Sequence, residues 1–356
     1  MPQSRKIAIV HDDFMQWGGA ERLVASLAAE FPAATIYTSM ADDAVLAKAG
    51  ISRDRLRTSF LDRLPFKKSL NKLLFRIYPI VFENFVFDDY EVVISSSTRF
   101  AHGVITKPTT KHIAYVNSPF RGFWQPKMYF GDGLGGKVQR LILSPILSRL
   151  RQWDYVAGQR ADVIFGNSSI VRYRLKKYYR RDDAEVFYPF VDFERFQKVE
   201  KPELKLPQKY FIVVSRIVEW KRIDIVVEAC NKVGAALVVV GSGSYLGKLK
   251  KIGGDNVIFP GFLSDAEVSY LMRNAQALIH PQYEDFGMTI IEANFCETPV
   301  IAYKAGGALD TVVEAKTGEF FNYQTVDDLA QRLERFDSSI YKGEDLVENA
   351  KRFSKT

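Results

Sequence analysis

Residues 211–241 read FIVVSRIVEWKRIDIVVEACNKVGAALVVVG, and their hydrophobic pattern indicates the fold class of the chain. Runs rich in valine at 211–215 and 237–241 predict two buried strands. Between them, residues 222–233 follow a helical pattern. A strand, a helix and a second strand in this order form a β-α-β unit, in which the two strands run parallel. The stretch therefore predicts a parallel α/β fold.

The same alternation of β-rich runs and helical patterns extends over the whole chain of 356 residues. Further strands are predicted at 7–10, 35–37, 92–95, 112–116, 163–166, 186–188, 257–260, 277–280, 300–303 and 319–321, and further helices at 20–30, 265–274 and 326–335. A polar segment at 198–209 has two prolines and no periodicity, so we interpret it as a linker. We expect two doubly wound domains, 1–200 and 201–356, whose sheets face each other across a central cleft.

The composition is that of a soluble globular protein, with 47% hydrophobic and 26% charged residues. No apolar run approaches the roughly 20 residues that span a bilayer, and the N-terminus lacks the apolar core of a secretory signal. Cys230 and Cys296 lie in apolar helical patterns, which favours buried free thiols over a disulfide. We therefore expect a cytoplasmic protein.

The net charge of +7 arises from the first 200 residues, which favours anionic partners. Two stretches there, 60–85 and 134–153, interleave basic residues with apolar ones. The basic residues are Arg63, Lys67, Lys68, Lys72 and Arg76 in the first stretch, and Lys137, Arg140, Arg149 and Arg151 in the second. Both stretches are typical of helices that lie on an anionic membrane surface, or of packed helices with solvated basic faces. No motif that reads RNA or DNA is visible, so we expect no nucleic-acid partner.

The segment 284–292 (EDFGMTIIE) places two carboxylates, Glu284 and Glu292, across a loop-to-helix junction. The first amides of a helix lack intrahelical acceptors and attract anions. Here these amides are those of Phe286, Gly287, Met288 and Thr289. Carboxylates on either side of a bound diphosphate would grip sugar hydroxyls. The segment therefore indicates a nucleotide-sugar site, or an ordinary capped helix.

Two further motifs favour a diphosphate ligand. Gly18 and Gly19 follow the first strand and open a helix, where the backbone can approach a phosphate closely. Arg216 and Lys221 follow the first strand of the second half, at the end where ligands of such sheets bind. The alternatives are a plain strand-to-helix turn and a solvated pair of cations.

Resident metals and redox cofactors are not expected. No Asp-x-Asp pair occurs, and the four histidines have no zinc spacing. Leu246 stands where a dinucleotide fingerprint needs Gly or Ala, which disfavours a nicotinamide or flavin enzyme. We expect fixed cations and helix starts to replace a metal at the diphosphate.

In this order, Gly-Gly, Arg-x4-Lys and Glu-x7-Glu resemble the retaining glycosyltransferases of the GT-B type, family 4, which have two Rossmann-like domains. The sequence segments around Arg216, Asp285 and Gly306 are most similar to those of bacterial mannosyltransferases of O-antigen and exopolysaccharide synthesis. Together with the basic, amphipathic stretches 60–85 and 134–153, the resemblance predicts a peripheral enzyme at the inner face of the cell membrane. Such an enzyme transfers mannose from GDP-mannose to a lipid-linked saccharide.

The resemblance also implies a contact for each motif residue. Gly18, Gly19, Arg216 and Lys221 would face the diphosphate, the amides of Phe286, Gly287, Met288 and Thr289 would cap its phosphates, Glu284 would bind the transferred sugar, and Glu292 the ribose. Asn117 stands where relatives carry a histidine near the sugar. Asparagine can hydrogen-bond but cannot carry a proton, which a retaining front-face mechanism tolerates.

Residues 349–356 resemble the beginning of the family's last helix, so the chain is either naturally short or cut there. Three other functions stay open. In the first, the protein is a transferase that uses a UDP-sugar as its donor. In the second, it is a sugar-nucleotide epimerase or hydrolase on the same fold. In the third, the protein is a nonenzymatic anion- or membrane-binding protein.

Overall fold

The computed structural model of the protein describes residues 6–65, 74–131 and 133–355. The chain divides into two compact units, Met1–Tyr188 and Pro189–Thr356. The segment 198–209, expected to be a linker, lies inside the second unit, where Leu206 packs against one of the cores. Lys67, Lys68 and Lys72 of the first basic stretch lie outside the described residues.

The first unit is built on a seven-stranded parallel sheet with strand order β3-β2-β1-β4-β5-β6-β7. Its strands are β1 Ile7–His11, β2 Thr35–Thr38, β3 Leu56–Thr58, β4 Val92–Ser97, β5 Lys111–Val116, β6 Val163–Gly166 and β7 Glu185–Val186. The order reverses between β1 and β4, as in a doubly wound fold. All of these strands were predicted except β3, which has only three residues.

Helices cover both faces of this sheet and bury its apolar strands. They are α1 Gly19–Glu30, α2 Asp43–Ala49, α3 Tyr78–Glu83, α4 Arg121–Trp124, α5 Pro126–Phe130, α6 Leu134–Ala157 and α7 Ser169–Arg174, which continues as a π-helical turn over Leu175–Tyr179, with 3-10 turns at Arg53–Arg55, Phe60–Arg63, Leu74–Arg76 and Ala101–Gly103. Neighbouring residues of β1 face opposite cores, because Ile9 packs with α1 and α2 while Val10 packs with α3.

The second unit is built on a six-stranded parallel sheet with strand order β10-β9-β8-β11-β12-β13. Its strands are β8 Phe211–Val214, β9 Leu237–Val240, β10 Val257–Gly261, β11 Leu278–His280, β12 Val300–Tyr303 and β13 Gly318–Phe321. The order reverses between β8 and β11, so these two strands are neighbours. The β-α-β unit predicted from residues 211–241 is confirmed as β8, a helix and β9.

Helices again cover both faces of the sheet. They are α8 Ile223–Val233, α9 Leu246–Ile252, α10 Asp265–Arg273, α11 Met288–Phe295, α12 Ala308–Thr311, α13 Val326–Arg335 and α14 Gly343–Lys351, with 3-10 turns at Glu194–Phe196, Glu219–Lys221 and Ser338–Ile340. Helix α10 begins with a capping box, in which Ser264 and Glu267 satisfy each other's backbone amides. Within β8, Ile212 and Val213 point to opposite cores, so the sheet is buried on both faces.

Two expectations from the sequence are settled here. The described residues 349–355 do not begin a helix, because Asn349 lies near the end of α14 and the Phe353 carbonyl accepts a 2.8 Å hydrogen bond from the Val191 amide. Cys230 and Cys296 are free and buried, as predicted. Within the described parts of the chain, no helix has both the length and the apolar character needed to cross a membrane.

Candidate active site

The carboxyl ends of β8 and β11 lie side by side at the point where the strand order of the second unit reverses, which is where doubly wound sheets bind ligands. The loop after β8 carries Arg216 and Lys221, and the loop after β11 carries Glu284. The Lys221 ammonium contacts the Glu284 carboxylate directly. The fold thus brings two of the sequence motifs together as one ion pair.

The two cations of the loop differ in their surroundings. Lys221 ends a 3-10 turn, is buried, and lies 4.5 Å from the centre of the Trp220 ring. Arg216 is exposed, and its guanidinium forms no ion pair with any residue that the structure describes. One cation is therefore fixed by packing, and the other is available to a ligand from solvent.

The loop that carries Glu284 leads into helix α11 through Gly287, which has a left-handed φ of 90° and caps the helix. The adjoining β12 loop holds the Glu284 backbone, because the Gly307 amide donates a 2.9 Å hydrogen bond to the Glu284 carbonyl. Gly306 has φ of 66°, and a Cβ there would collide with that carbonyl oxygen. Met288 and Thr289 form the first turn of α11, where backbone amides are open to an anion.

Two buried polar side chains that the sequence analysis did not single out lie behind Glu284. His280 ends β11, and its Nε2 atom is 3.6 Å from Glu284 Oε2. The Gln282 amide nitrogen is 3.4 Å from the same oxygen and 3.0 Å from His280 Nδ1. Burial, together with the nearby Lys221 charge, lowers the pKa of His280 to about 3. A histidine at the end of an otherwise apolar strand was the signal available in the sequence.

Glu292 lies on α11 with its carboxylate buried. Arg195, from the 3-10 turn Glu194–Phe196, forms an ion pair with that carboxylate. The guanidinium also lies 3.6 Å from Asp265 Oδ1 and stacks 4.4 Å from the Phe196 ring centre. Arg195 lies far from Glu292 in the sequence, so no local pattern links the two residues.

In the first unit, Gly18 adopts an extended conformation and caps helix α1, which begins at Gly19. The Glu21 carboxylate lies beside this turn, since a Cβ on Gly18 would be 3.1 Å from Glu21 Oε2. His11 Nε2 is 3.8 Å from the other Glu21 oxygen. Burial lowers the pKa of His11, but Glu21 and the aspartates that follow His11 outweigh it and raise the pKa above the usual range.

Asp12 joins the ends of β1 and β4 at the reversal point of the first sheet. Its carboxylate accepts hydrogen bonds of 2.6 to 3.0 Å from the four consecutive backbone amides of residues 98–101 and one of 2.7 Å from the Thr98 hydroxyl. Burial raises the pKa of this carboxyl, but the Arg99 and His11 charges and the hydrogen bonds outweigh it and hold the pKa below its usual range. Asp12 thus fixes the segment after β4 against the end of β1, at the carboxyl ends of the strands.

Asn117 follows β5, and its backbone amide donates a 2.8 Å hydrogen bond to the Ser97 carbonyl. Its side-chain amide lies 3.3 Å from both Ser96 Oγ and the Ser97 carbonyl oxygen. From Ser97 a buried polar chain continues inward, through His102 Nδ1 at 2.9 Å from Ser97 Oγ and Asp154 Oδ1 at 3.2 Å from His102 Nε2. Asn117 is therefore connected to Asp154 on helix α6.

Among the residues with described positions, no group of three or more His, Cys, Asp or Glu side chains is placed to hold a metal ion. A site that works without a metal remains a prediction from the sequence.

Comparison with known proteins links the second unit to a family. Residues 194–353 match the family model of glycosyl transferases group 1. Among the relatives is the GDP-mannose-dependent alpha-(1-6)-phosphatidylinositol monomannoside mannosyltransferase of Mycobacterium tuberculosis, 30% identical over 202 residues, which are 49% of this chain. The match spans about half of that relative, 52% of its length. The Alpha-1,3/1,6-mannosyltransferase ALG2 of Dictyostelium discoideum is 23% identical, over 92% of this chain and 89% of its own length.

Solved structures match the fold over nearly the whole chain. Sucrose-phosphate synthase from Thermosynechococcus elongatus superimposes with a TM-score of 0.71 at 16% identity, over 98% of this chain and 95% of its own. Anabaena HepE, solved with UDP and glucose, gives 0.70 at 17% identity, over 99% and 96%. These matches confirm the predicted GT-B fold class. Residues 194–353 are thus similar in sequence to the glycosyl transferases group 1, and the fold of the chain is that of GT-B enzymes.

Proposed function

We propose that the protein is a metal-independent, retaining hexosyltransferase that transfers mannose from GDP-mannose to a lipid-linked saccharide. The observation that carries the proposal is the contact of Lys221 with Glu284 beside the start of helix α11. This arrangement offers a cation and open amides to a diphosphate, and a carboxylate to sugar hydroxyls. The GDP-mannose-dependent relative, matched over about half of its length, supports the choice of donor.

In the proposed reaction, the bond between the anomeric carbon and the diphosphate oxygen breaks, and a bond from that carbon to the acceptor oxygen forms on the same face. The departing phosphate oxygen accepts the proton of the acceptor hydroxyl, so no protein base is needed. Lys221, Arg216 and the amides of 286–289 stabilise the charge that develops on the diphosphate. Glu284 orients the sugar, Glu292 binds the ribose, and Asn117 is assigned to hydrogen bonding rather than proton transfer.

Gly18 and Gly19 are assigned to the diphosphate from the first unit. The Glu21 carboxylate beside Gly18 restricts how this contact forms, because an anion repels a phosphate. We therefore assign the contact to the backbone of the turn, with Glu21 held by His11.

The exposed face of helix α6 supports the proposed acceptor and a peripheral position at the inner face of the cell membrane. Its first half exposes four large apolar side chains: Leu134, Val138, Leu141 and Ile142. Lys137 and Arg140 lie on the same turns. Exposed apolar groups beside basic ones are typical of a helix that binds an anionic lipid surface.

A thermal-shift panel of GDP-, UDP- and ADP-sugars tests the donor. We expect GDP-mannose to raise the unfolding temperature most, since a ligand that binds only the folded state stabilises it in proportion to its affinity. Preference for a UDP-sugar would overturn the GDP assignment. Incubation of the donor alone and with a mannose-terminated glycolipid, followed by NMR of the product, tests the reaction. An epimerised or hydrolysed donor, a β-linked product or no turnover would each contradict the proposal.

A further inference from the structure

His280 is a buried histidine with a nitrogen aimed at Glu284. The residue is 1% exposed, and its Nε2 atom has no hydrogen-bond partner although it lies 3.6 Å from Glu284 Oε2. The same nitrogen would be 3.3 Å from a Cβ on Gly287, so this glycine leaves the ring room beside the start of α11. Burying a polar atom without a partner lowers the stability of the folded protein. An atom that is kept in spite of this cost is a candidate for a functional role.

The neighbouring amide of Gln282 fixes where the proton of His280 resides. The Gln282 amide group faces both Glu284 Oε2, at 3.4 Å, and His280 Nδ1, at 3.0 Å. An amide oxygen at this position would face a carboxylate oxygen, so the amide nitrogen occupies it. His280 Nδ1 then accepts the Gln282 hydrogen bond, and the ring proton sits on Nε2, on the side of Glu284.

The two oxygens of Glu284 therefore have different neighbours. Oε1 contacts the Lys221 ammonium, and Oε2 faces His280 and Gln282. His280 is neutral because it is buried and lies close to the charge of Lys221. On the Oε2 side the carboxylate accepts a hydrogen bond from the Gln282 amide and faces the neutral His280 ring at 3.6 Å, so both neighbours there are uncharged.

We propose that His280 and Gln282 are positioning residues that fix the rotation of the Glu284 carboxylate through Oε2, so that Glu284 presents a set geometry to the hydroxyls of the transferred sugar. The inference rests on the proposed function for its sugar ligand. The orientation itself is a property of the free protein.

The orientation is tested by NMR on protein with 15N-labelled histidine rings. The chain has four histidines, so a His280→Gln variant assigns the His280 signals by their loss. We expect the neutral Nε2–H form of His280 from about pH 5 to 8, and a shift of its ring nitrogens in Glu284→Ala. A proton on Nδ1, a titration within that range or no response to Glu284→Ala would overturn the inference.

The effect on the reaction is tested by paired variants. His280→Gln retains a donor close to the place of Nε2, and His280→Met retains volume without a donor. We expect His280→Met to lower kcat by on the order of tenfold or more, and His280→Gln to restore most of it. In a Glu284→Asp background the same His280→Met change should cost less than about twofold, because its effect passes through Glu284. Equal losses in both backgrounds would overturn the positioning effect.

The two proposals fail in different ways. Absence of turnover with every donor of the panel would overturn the proposed function, while the NMR experiment needs no donor and still decides the orientation of His280. Turnover with unchanged kcat in a folded His280→Met variant would overturn the inference and leave the proposed function standing.

Discussion

Lys221 and Glu284 are the residues whose loss should affect the reaction most. We expect Lys221→Met and Glu284→Gln each to lower kcat by on the order of 100- to 1,000-fold, since each removes a group that stabilises or orients the transition state. Steady-state kinetics with the donor identified by the panel measures this. Lys304→Met is the matched control, because Lys304 follows β12 but pairs with Glu314 at the surface. Near-normal turnover in either site variant would contradict the assignment.

Arg195 should act on donor binding. Its guanidinium is held by Glu292, Asp265 and the Phe196 ring, so it fixes the position of the Glu292 side chain, which is proposed to bind the ribose. We expect Arg195→Gln to raise the KM of the donor about tenfold, with a smaller change in kcat.

The control for Arg195 is Arg332→Gln, which removes a half-buried arginine whose guanidinium lies 3.7 Å from Glu319. A lower KM in Arg195→Gln would mean that Arg195 competes with the ribose instead of orienting Glu292.

At the scale of elements, two glycines of the second unit form a matched pair. Gly306 and Gly234 have nearly the same left-handed φ, 66° and 68°, but only Gly306 lies against the Glu284 backbone. We expect Gly234→Ala to lower the free energy of unfolding by about 1 kcal/mol, from backbone strain alone. Gly306→Ala should cost several kcal/mol more and lower turnover, because the β12 loop must move away from Glu284. Urea unfolding measures both, and equal costs would contradict the packing argument.

Helix α6 gives a second prediction at this scale. Replacing both Leu141 and Ile142 by Gln should lower binding to anionic liposomes at low salt by at least about tenfold, because two exposed apolar side chains no longer enter the lipid. Val156→Gln, at the exposed far end of the same helix, is the control. Sedimentation with vesicles measures the bound fraction. Unchanged binding would show that Leu141 and Ile142 of helix α6 do not contribute to membrane binding.

The sequence predicted elements better than contacts. Strands β8 and β9 and helix α8 follow from apolar periodicity, and β3 was missed because three residues are too short to show it. Spacing along the sequence made Arg216 and Lys221 candidates within one loop, and Glu284 and Glu292 candidates across one loop-to-helix junction. Arg195 and Asp154 were not, because their partners are distant along the chain and only tertiary packing joins them. The prediction that a helix begins at residue 349 was wrong. Helix α14 begins at Gly343, where no side chain caps it, so its start gave no signal in the sequence.

For the whole molecule, the buried histidine of the second unit predicts a pH dependence of stability. The pKa of His280 is about 3 in the folded protein and about 6.5 when the ring is exposed. The unfolded chain therefore binds a proton first as the pH falls below 6.5, and folding stability is lost from there toward pH 3. This contribution amounts to about 2 kcal/mol between pH 7 and 5.

Urea unfolding of the wild type and of His280→Gln at pH 7 and pH 5 measures this contribution. We expect the variant to lose about 2 kcal/mol less than the wild type over that interval, because glutamine does not titrate. The comparison of the two proteins cancels the other titrating groups. Parallel losses would show that His280 is already protonated, or solvated, in the folded state.

The ion pair between Lys221 and Glu284 gives the candidate site a way to distinguish a whole donor from its fragments. Under the proposed assignment, any ligand must first separate the ammonium from the carboxylate. A nucleoside diphosphate then makes a new interaction with the ammonium only, and a free hexose makes one with the carboxylate only. The intact sugar nucleotide recovers both, so its binding free energy should exceed the sum expected from its two halves. On the same assignment the ion pair would re-form after transfer of the sugar, which would favour release of the nucleoside diphosphate.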